Sequence, residues 1–304
     1  MGFEGYHRDA WNRHGNAPQE VFEELPAGRD LAETGKHLAA WGALVAHVAG
    51  EHLGRWSEGI ALLDTIAADE RFAEAEAARR SLHRSRAALL IGAGDRAGAD
   101  AVVAENLDDA WPEASSQIRV WTTATTALAM QGEIDKATAL FQEALKASAY
   151  GPDAKDPASR ALAISGNNLA MDLEDLSGRS PAQDALMILA ARTSRTWWAV
   201  AGDATNVLLA DVRVASSLLA AGNASDALPF AEAASRGSEA EGTLAGYRIQ
   251  AMLVLGKARQ GVGDAQGAAA AVAKADEAFT HLPEAYRAYY ESQIEALRAD
   301  LMGG

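Results

Sequence analysis

The chain has 304 residues, 49% of them hydrophobic, and its 42 acidic and 27 basic side chains leave a net charge of −15. That balance excludes general nucleic-acid binding, which needs a basic footprint to release counterions, and it disfavours docking to anionic lipid. The sequence contains no cysteine, which excludes disulfides, iron–sulfur clusters, thiolate zinc sites and cysteine nucleophiles.

Residues 1–28 carry Tyr6, His7, Trp11, Arg13 and His14 without a repeating phase, and are expected to form an arm with a short helix packed on the first repeat. No cationic start followed by an apolar run is present, and Tyr6 stands where a myristoylation motif needs Ser or Thr. The most apolar stretch, residues 38–50, is too short to span a bilayer. A soluble, cytoplasmic protein is the expectation.

From residue 29 to 282 the pattern repeats. Gly54, Gly94, Gly132, Gly178, Gly222 and Gly263 follow one another at intervals of 38 to 46 residues, each between two Ala- and Leu-rich amphipathic stretches. Ala and Leu lose little entropy in a helix, and glycine supplies the left-handed residue that closes one. The unit around Gly132 is the clearest. Trp121 and Thr125 precede the glycine, and Ala137, Phe141 and Ala144 follow it at helical spacing. Small residues recur in the same places at Ala87 and Ala99, at Ala215, Ala227 and Ala234, and at Gly256, Ala268 and Ala275, where they let two antiparallel helices approach. The unit around Gly54 places His47 and Gly59 there, and the one around Gly178 has a longer turn through Arg179, Ser180 and Pro181. Residues 149–157 read as a loop from their Gly and Pro content, and Pro229 is expected to kink its helix or reset its start. Residues 283–304 read as a charged, Tyr-bearing helix that caps the last repeat.

This pattern of a turn glycine, small residues at fixed offsets and flanking aromatics resembles the tetratricopeptide repeat family. The intervals here all exceed that family's spacing of ~34 residues, and Thr125 stands where it prefers Gly or Ala. The resemblance implies an all-α, right-handed superhelical solenoid of about six antiparallel helix pairs with a C-terminal capping helix. It further implies a concave face lined by the first helix of each pair, where the family uses Asn, Lys and Arg to grip a peptide. By register that face includes Arg84, Thr122, Asn167, Asn168 and Arg213, with Arg119, Gln250 and Lys257 at other inward places. The family's Lys-x3-Asn opening is replaced by Leu44 and Val48 in the first unit. Asn both donates and accepts, and Arg offers a planar fork for carboxylates. The expected function is a non-enzymatic scaffold or adaptor. It would bind an extended or carboxylate-bearing, possibly acidic, protein or peptide segment, with no cofactor, nucleic acid or membrane.

Catalytic motifs fail on spacing. No Gly-x-Ser-x-Gly elbow or Walker lysine motif occurs, and no base–nucleophile–orienter set can be named. Gly92-x-Gly94-x3-Gly98 lies between two predicted helices and reads as a repeat turn. Six of the seven histidines fall within the first 83 residues. His47 and His52 bracket Glu51, but residues five apart on an α-helix diverge by about 140°, so the pair misses the zinc-helix patterns. Two alternatives remain beside the peptide-binding reading: a small-molecule or metal sensor built on this histidine-rich third, and a structural homo-oligomerisation module.

Overall fold

The structure is a computed structural model that describes residues 2–73 and 75–303, with side chains as far as residue 301. Among the described residues it holds fifteen α-helices and no strand. It divides into two compact units, Met1–Leu162 and Ala163–Gly304.

The first unit contains α1 (Phe3–Arg13), α2 (Pro18–Asp30), α3 (Gly35–Ala46), a π-helical turn (His47–His52), α4 (Trp56–Asp64), α5 (Glu76–Gly92), α6 (Arg96–Glu105), α7 (Glu113–Met130), α8 (Ile134–Ala147) and the start of α9 (Pro157–Glu174). The arm is two helices, both seated in the core. Phe3, Tyr6 and Ala10 of α1 and Val21, Phe22 and Leu25 of α2 are buried together with Leu38, Trp41 and Leu44 of α3. The Trp41 indole Nε1 donates to the Leu25 carbonyl at 2.7 Å, so the one polar atom of a fully buried ring is satisfied.

All six turn glycines have positive φ, from 62° at Gly54 to 84° at Gly94. After α7, Gly132 N donates to Ala129 O and Glu133 N to Leu128 O, which closes the helix with paired 5→2 and 6→1 bonds. The same pair recurs at Gly94, Gly222 and Gly263. Asp95 follows its glycine and accepts from Gly98 N at 2.8 Å, so the Gly92–Gly98 motif is a helix stop followed by a helix start. The small-residue positions are buried as expected: Ala87, Ala137, Ala144, Ala215, Ala227, Ala234, Ala268 and Ala275 are all at 0% exposure. Thr125 is equally buried, its hydroxyl donating to the Trp121 carbonyl one turn back. The loop before α9 is fixed by Asp156, which is 3% exposed. Its carboxylate accepts from Ser115 Oγ and Tyr150 Oη at 2.6 Å each and from Ala158 N at 2.9 Å.

The second unit contains the rest of α9, then α10 (Pro181–Ala201), α11 (Ala204–Ala220), α12 (Ala224–Ser238), α13 (Ala245–Gly261), α14 (Ala265–Phe279) and α15 (Glu284–Gly303). Consecutive helices pack on one another. At Gly166 a Cβ would stand 2.7 Å from the Ala190 carbonyl, so only glycine admits this approach of α9 to α10. The Gly178 turn uses a different device. Ser180 caps α10 in a reciprocal pair with Gln183, while the Arg179 guanidinium covers the Glu174 and Leu176 carbonyls at the end of α9. Helix α12 runs through Pro229 with its start at Ala224, so the proline does not reset it. Helix α15 covers α13 and α14, with Tyr290, Ile294 and Leu297 buried. No helix among the described residues is long and apolar enough to cross a membrane.

Candidate functional site

Helix α5 packs on α6 and α7. Its Arg80, His83 and Arg84 line a small cleft with Val102, Val103 and Asn106 at the end of α6 and Ser116 on α7. Arg119 lies one turn beyond Ser116. Arg80 is held by Glu76 at 2.6 Å and approaches Asp108 at 3.7 Å. Arg84 and Arg119 are different. Both are half-buried, yet neither guanidinium makes a hydrogen bond or an ion pair among the described residues. Burial, then Arg119 and Arg80, push the Arg84 pKa down to about 9, against Asp108 alone. Burial also lowers Arg119, opposed by Asp108 and Asp156. Asp156 is already engaged by Ser115 and Tyr150. Several other half-buried arginines sit within 3 Å of a carboxylate, among them Arg86 on Asp64, Arg195 on Asp211 and Arg213 on Glu174.

The six residues assigned to a groove by register fall in both units. Arg84 and Arg119 are together in the first. Asn167, Asn168, Arg213 and Lys257 belong to the second. Asn167 donates to Asn168 Oδ1 at 3.2 Å, and Asn168 and Lys257 are exposed. Arg213 is bound internally by Glu174 at 2.9 Å. Two inward assignments do not hold. Thr122 is 1% exposed with its hydroxyl on the Ile118 carbonyl, and Gln250 donates to Tyr290 Oη at 2.8 Å under the capping helix. Register identified two of the arginines but not Arg80, Asn106 or Ser116. The i,i+4 spacing of Arg80 and Arg84 put both on one face of α5, and only the packing of α5 on α7 adds Ser116 to them.

A second constellation joins α1 to the π-helical turn. The expected 140° divergence of His47 and His52 is overturned, because residues 47–52 are not α-helical. In an i→i+5 turn the fifth residue returns over the first. Leu53 N donates to Val48 O, and the closing bond after the turn runs from Arg55 N to Ala49 O, one residue longer than at the other glycine turns. His47 Nε2 and His52 Nε2 therefore stand 3.2 Å apart. His14, just past the end of α1, adds a third ring 4.7 Å from His47 and 5.0 Å from His52, centre to centre. The Trp11 ring stacks on His47 at 4.8 Å. Its indole Nε1 donates to His7 Nε2 at 2.9 Å. Burial, then His47, lower the His52 pKa to about 4, with Glu51 opposing. Gln131, just past the end of α7, donates to the Glu51 carbonyl at 2.8 Å and ties the turn to the repeat around Gly132. No family model matches the chain, and no curated protein matches it in sequence.

Proposed function

We propose that the protein is a non-enzymatic, tetratricopeptide-like binding module, a solenoid of about six helix pairs, that takes an acidic, carboxylate-bearing peptide or protein segment at Arg84 and Arg119. The observation that carries this reading is a pair of half-buried guanidinium groups without a carboxylate in a chain with 42 acidic residues. Burying a charge without a partner is costly. A carboxylate arriving from outside would meet two planar forks that are already partly desolvated, where charge-assisted hydrogen bonds are strongest. The net charge of −15 does not defeat this. At physiological ionic strength charges more than about 8 Å away are largely screened, whereas the two arginines act at contact. Asn167, Asn168, Lys257 and Arg213, assigned to the same groove by register, lie in the second unit, where Arg213 is held by Glu174.

The test is fluorescence anisotropy of a labelled hexaglutamate peptide with a free C-terminal carboxylate, titrated with the full chain. Binding that saturates, and that weakens at least tenfold in Arg84→Gln and in Arg119→Gln, is the expected outcome. Failure of the wild-type chain to bind, or wild-type affinity in both variants, contradicts the assignment.

A further inference from the structure

His14, His47 and His52 each offer one ring nitrogen, and the three nitrogens lie within 4.8 Å of one another. Their hydrogen bonds set which nitrogen is free. His14 Nδ1 lies 2.5 Å from the Trp11 carbonyl, an atom that can only accept, so Nδ1 carries the proton and Nε2 keeps its lone pair. His47 Nδ1 lies 3.0 Å from Glu51 Oε2, and a carboxylate likewise accepts, so Nε2 of His47 is also a lone-pair nitrogen. That Nε2 faces Nε2 of His52 at 3.2 Å. Four-coordinate zinc with Zn–N bonds of ~2.0–2.1 Å requires ligand nitrogens about 3.3 Å apart. The His47–His52 edge thus has the separation such an ion needs, and an inward shift of roughly 1.5 Å at most brings the His14 ring nitrogen to the third corner.

Two features of the fold prepare this arrangement. The π-helical turn brings His47 and His52 onto one side, which an α-helix with the same sequence would not do. Glu51 sits behind His47 in the position that orients and enriches a metal-ligating imidazole, and it is only 16% exposed. We propose that His14, His47 and His52 form a binding site for one divalent transition-metal ion of the zinc type, with the fourth position left to water or an external donor. The donor set is all imidazole nitrogen, which suits zinc, cobalt, nickel and copper and not calcium or magnesium. In the absence of an ion, His52 donates Nε2–H to His47. Coordination moves that proton to Nδ1 of the same ring and releases none. The ion would pin the end of α1 to the turn after α3. The site shares no residue with Arg84 and Arg119, so either assignment can fail without the other.

The experiment uses the untagged full-length chain, with Zn²⁺ followed by calorimetry and Co²⁺ by visible absorption. One ion per chain is expected, with the intense bands of four-coordinate cobalt. His47→Gln and His52→Gln should each lower the affinity at least a hundredfold. Glu51→Gln should lower it 10- to 100-fold, as loss of a supporting carboxylate does elsewhere. His281→Gln, in the second unit, should leave it unchanged. A wild-type chain that takes up no ion, or that gives only the pale spectrum of six-coordinate cobalt, overturns the proposal. So does an ion still bound by the His14→Gln, His47→Gln, His52→Gln triple variant. Should the triple variant lose its helicity, the wild-type stoichiometry and cobalt spectrum decide.

Discussion

The Arg84 guanidinium is half-buried and meets two like charges, from Arg119 and Arg80, against one acid, Asp108. Such a group weakens the fold, and in the proposed site an arriving carboxylate would offset that cost. Arg84→Met keeps the aliphatic stem and removes the charge. It should raise stability by about 1 kcal/mol, or roughly 2–4 °C in melting temperature, while peptide binding is lost. A fall in melting temperature would make Arg84 structural. His83 lines the same cleft and has a lowered pKa, first through burial and then through Arg79 and Arg86, with Glu105 opposing. In the unfolded chain it ionises near pH 6.5. The stability it contributes is therefore complete above about pH 6.5 and is lost as the pH falls through that value toward the lower folded pKa. His83→Gln should shrink the drop in urea midpoint between about pH 7.5 and about pH 5.5. A drop of undiminished size would remove His83 from the acid sensitivity of the fold.

The helices and their stops were readable because each repeat states the same local chemistry. Gly132 lies at φ 80° with open space where a Cβ would be, so Gly132→Ala tests backbone conformation alone. It should cost roughly 1–2 kcal/mol, read as a lower urea midpoint at an unchanged slope. A neutral result would mean that the positive φ is not needed there. The same local rules placed the buried alanines from Ala87 to Ala275. They failed at residues 47–52, where one extra residue is absorbed by a π turn. Nothing in the order His47, Val48, Ala49, Gly50, Glu51, His52 distinguishes that turn from an α-helix. It is stabilised by packing from elsewhere in the chain. A Cβ at Gly50 would meet the Trp56 ring at 2.9 Å and Leu89 of α5 at 3.1 Å, and Gln131, just past the end of α7, reaches the Glu51 carbonyl. Register also set Arg213 beside Arg84 as an equivalent site residue. Its pairing with Glu174, 39 positions earlier, depends on how α11 lies against α9.

For the whole molecule, charge decides how folding and binding respond to salt. The chain's −15 repels itself, and added salt screens that repulsion. Raising ionic strength from about 0.01 M to about 0.15 M should therefore raise the melting temperature while weakening the peptide complex, because the attraction at Arg84 and Arg119 is screened by the same ions. If salt strengthened the complex, apolar contact rather than the arginines would hold the peptide. The central claim is that these two arginines are the groups left for an external carboxylate. Arginine Nε–Hε NMR of the full chain, titrated with the hexaglutamate peptide, addresses it most directly. The account predicts saturable shifts of the Arg84 and Arg119 signals, while Arg195, held by Asp211, and Arg213, held by Glu174, stay in place. Uniform small shifts across all the arginines, or none at Arg84 and Arg119, would contradict it.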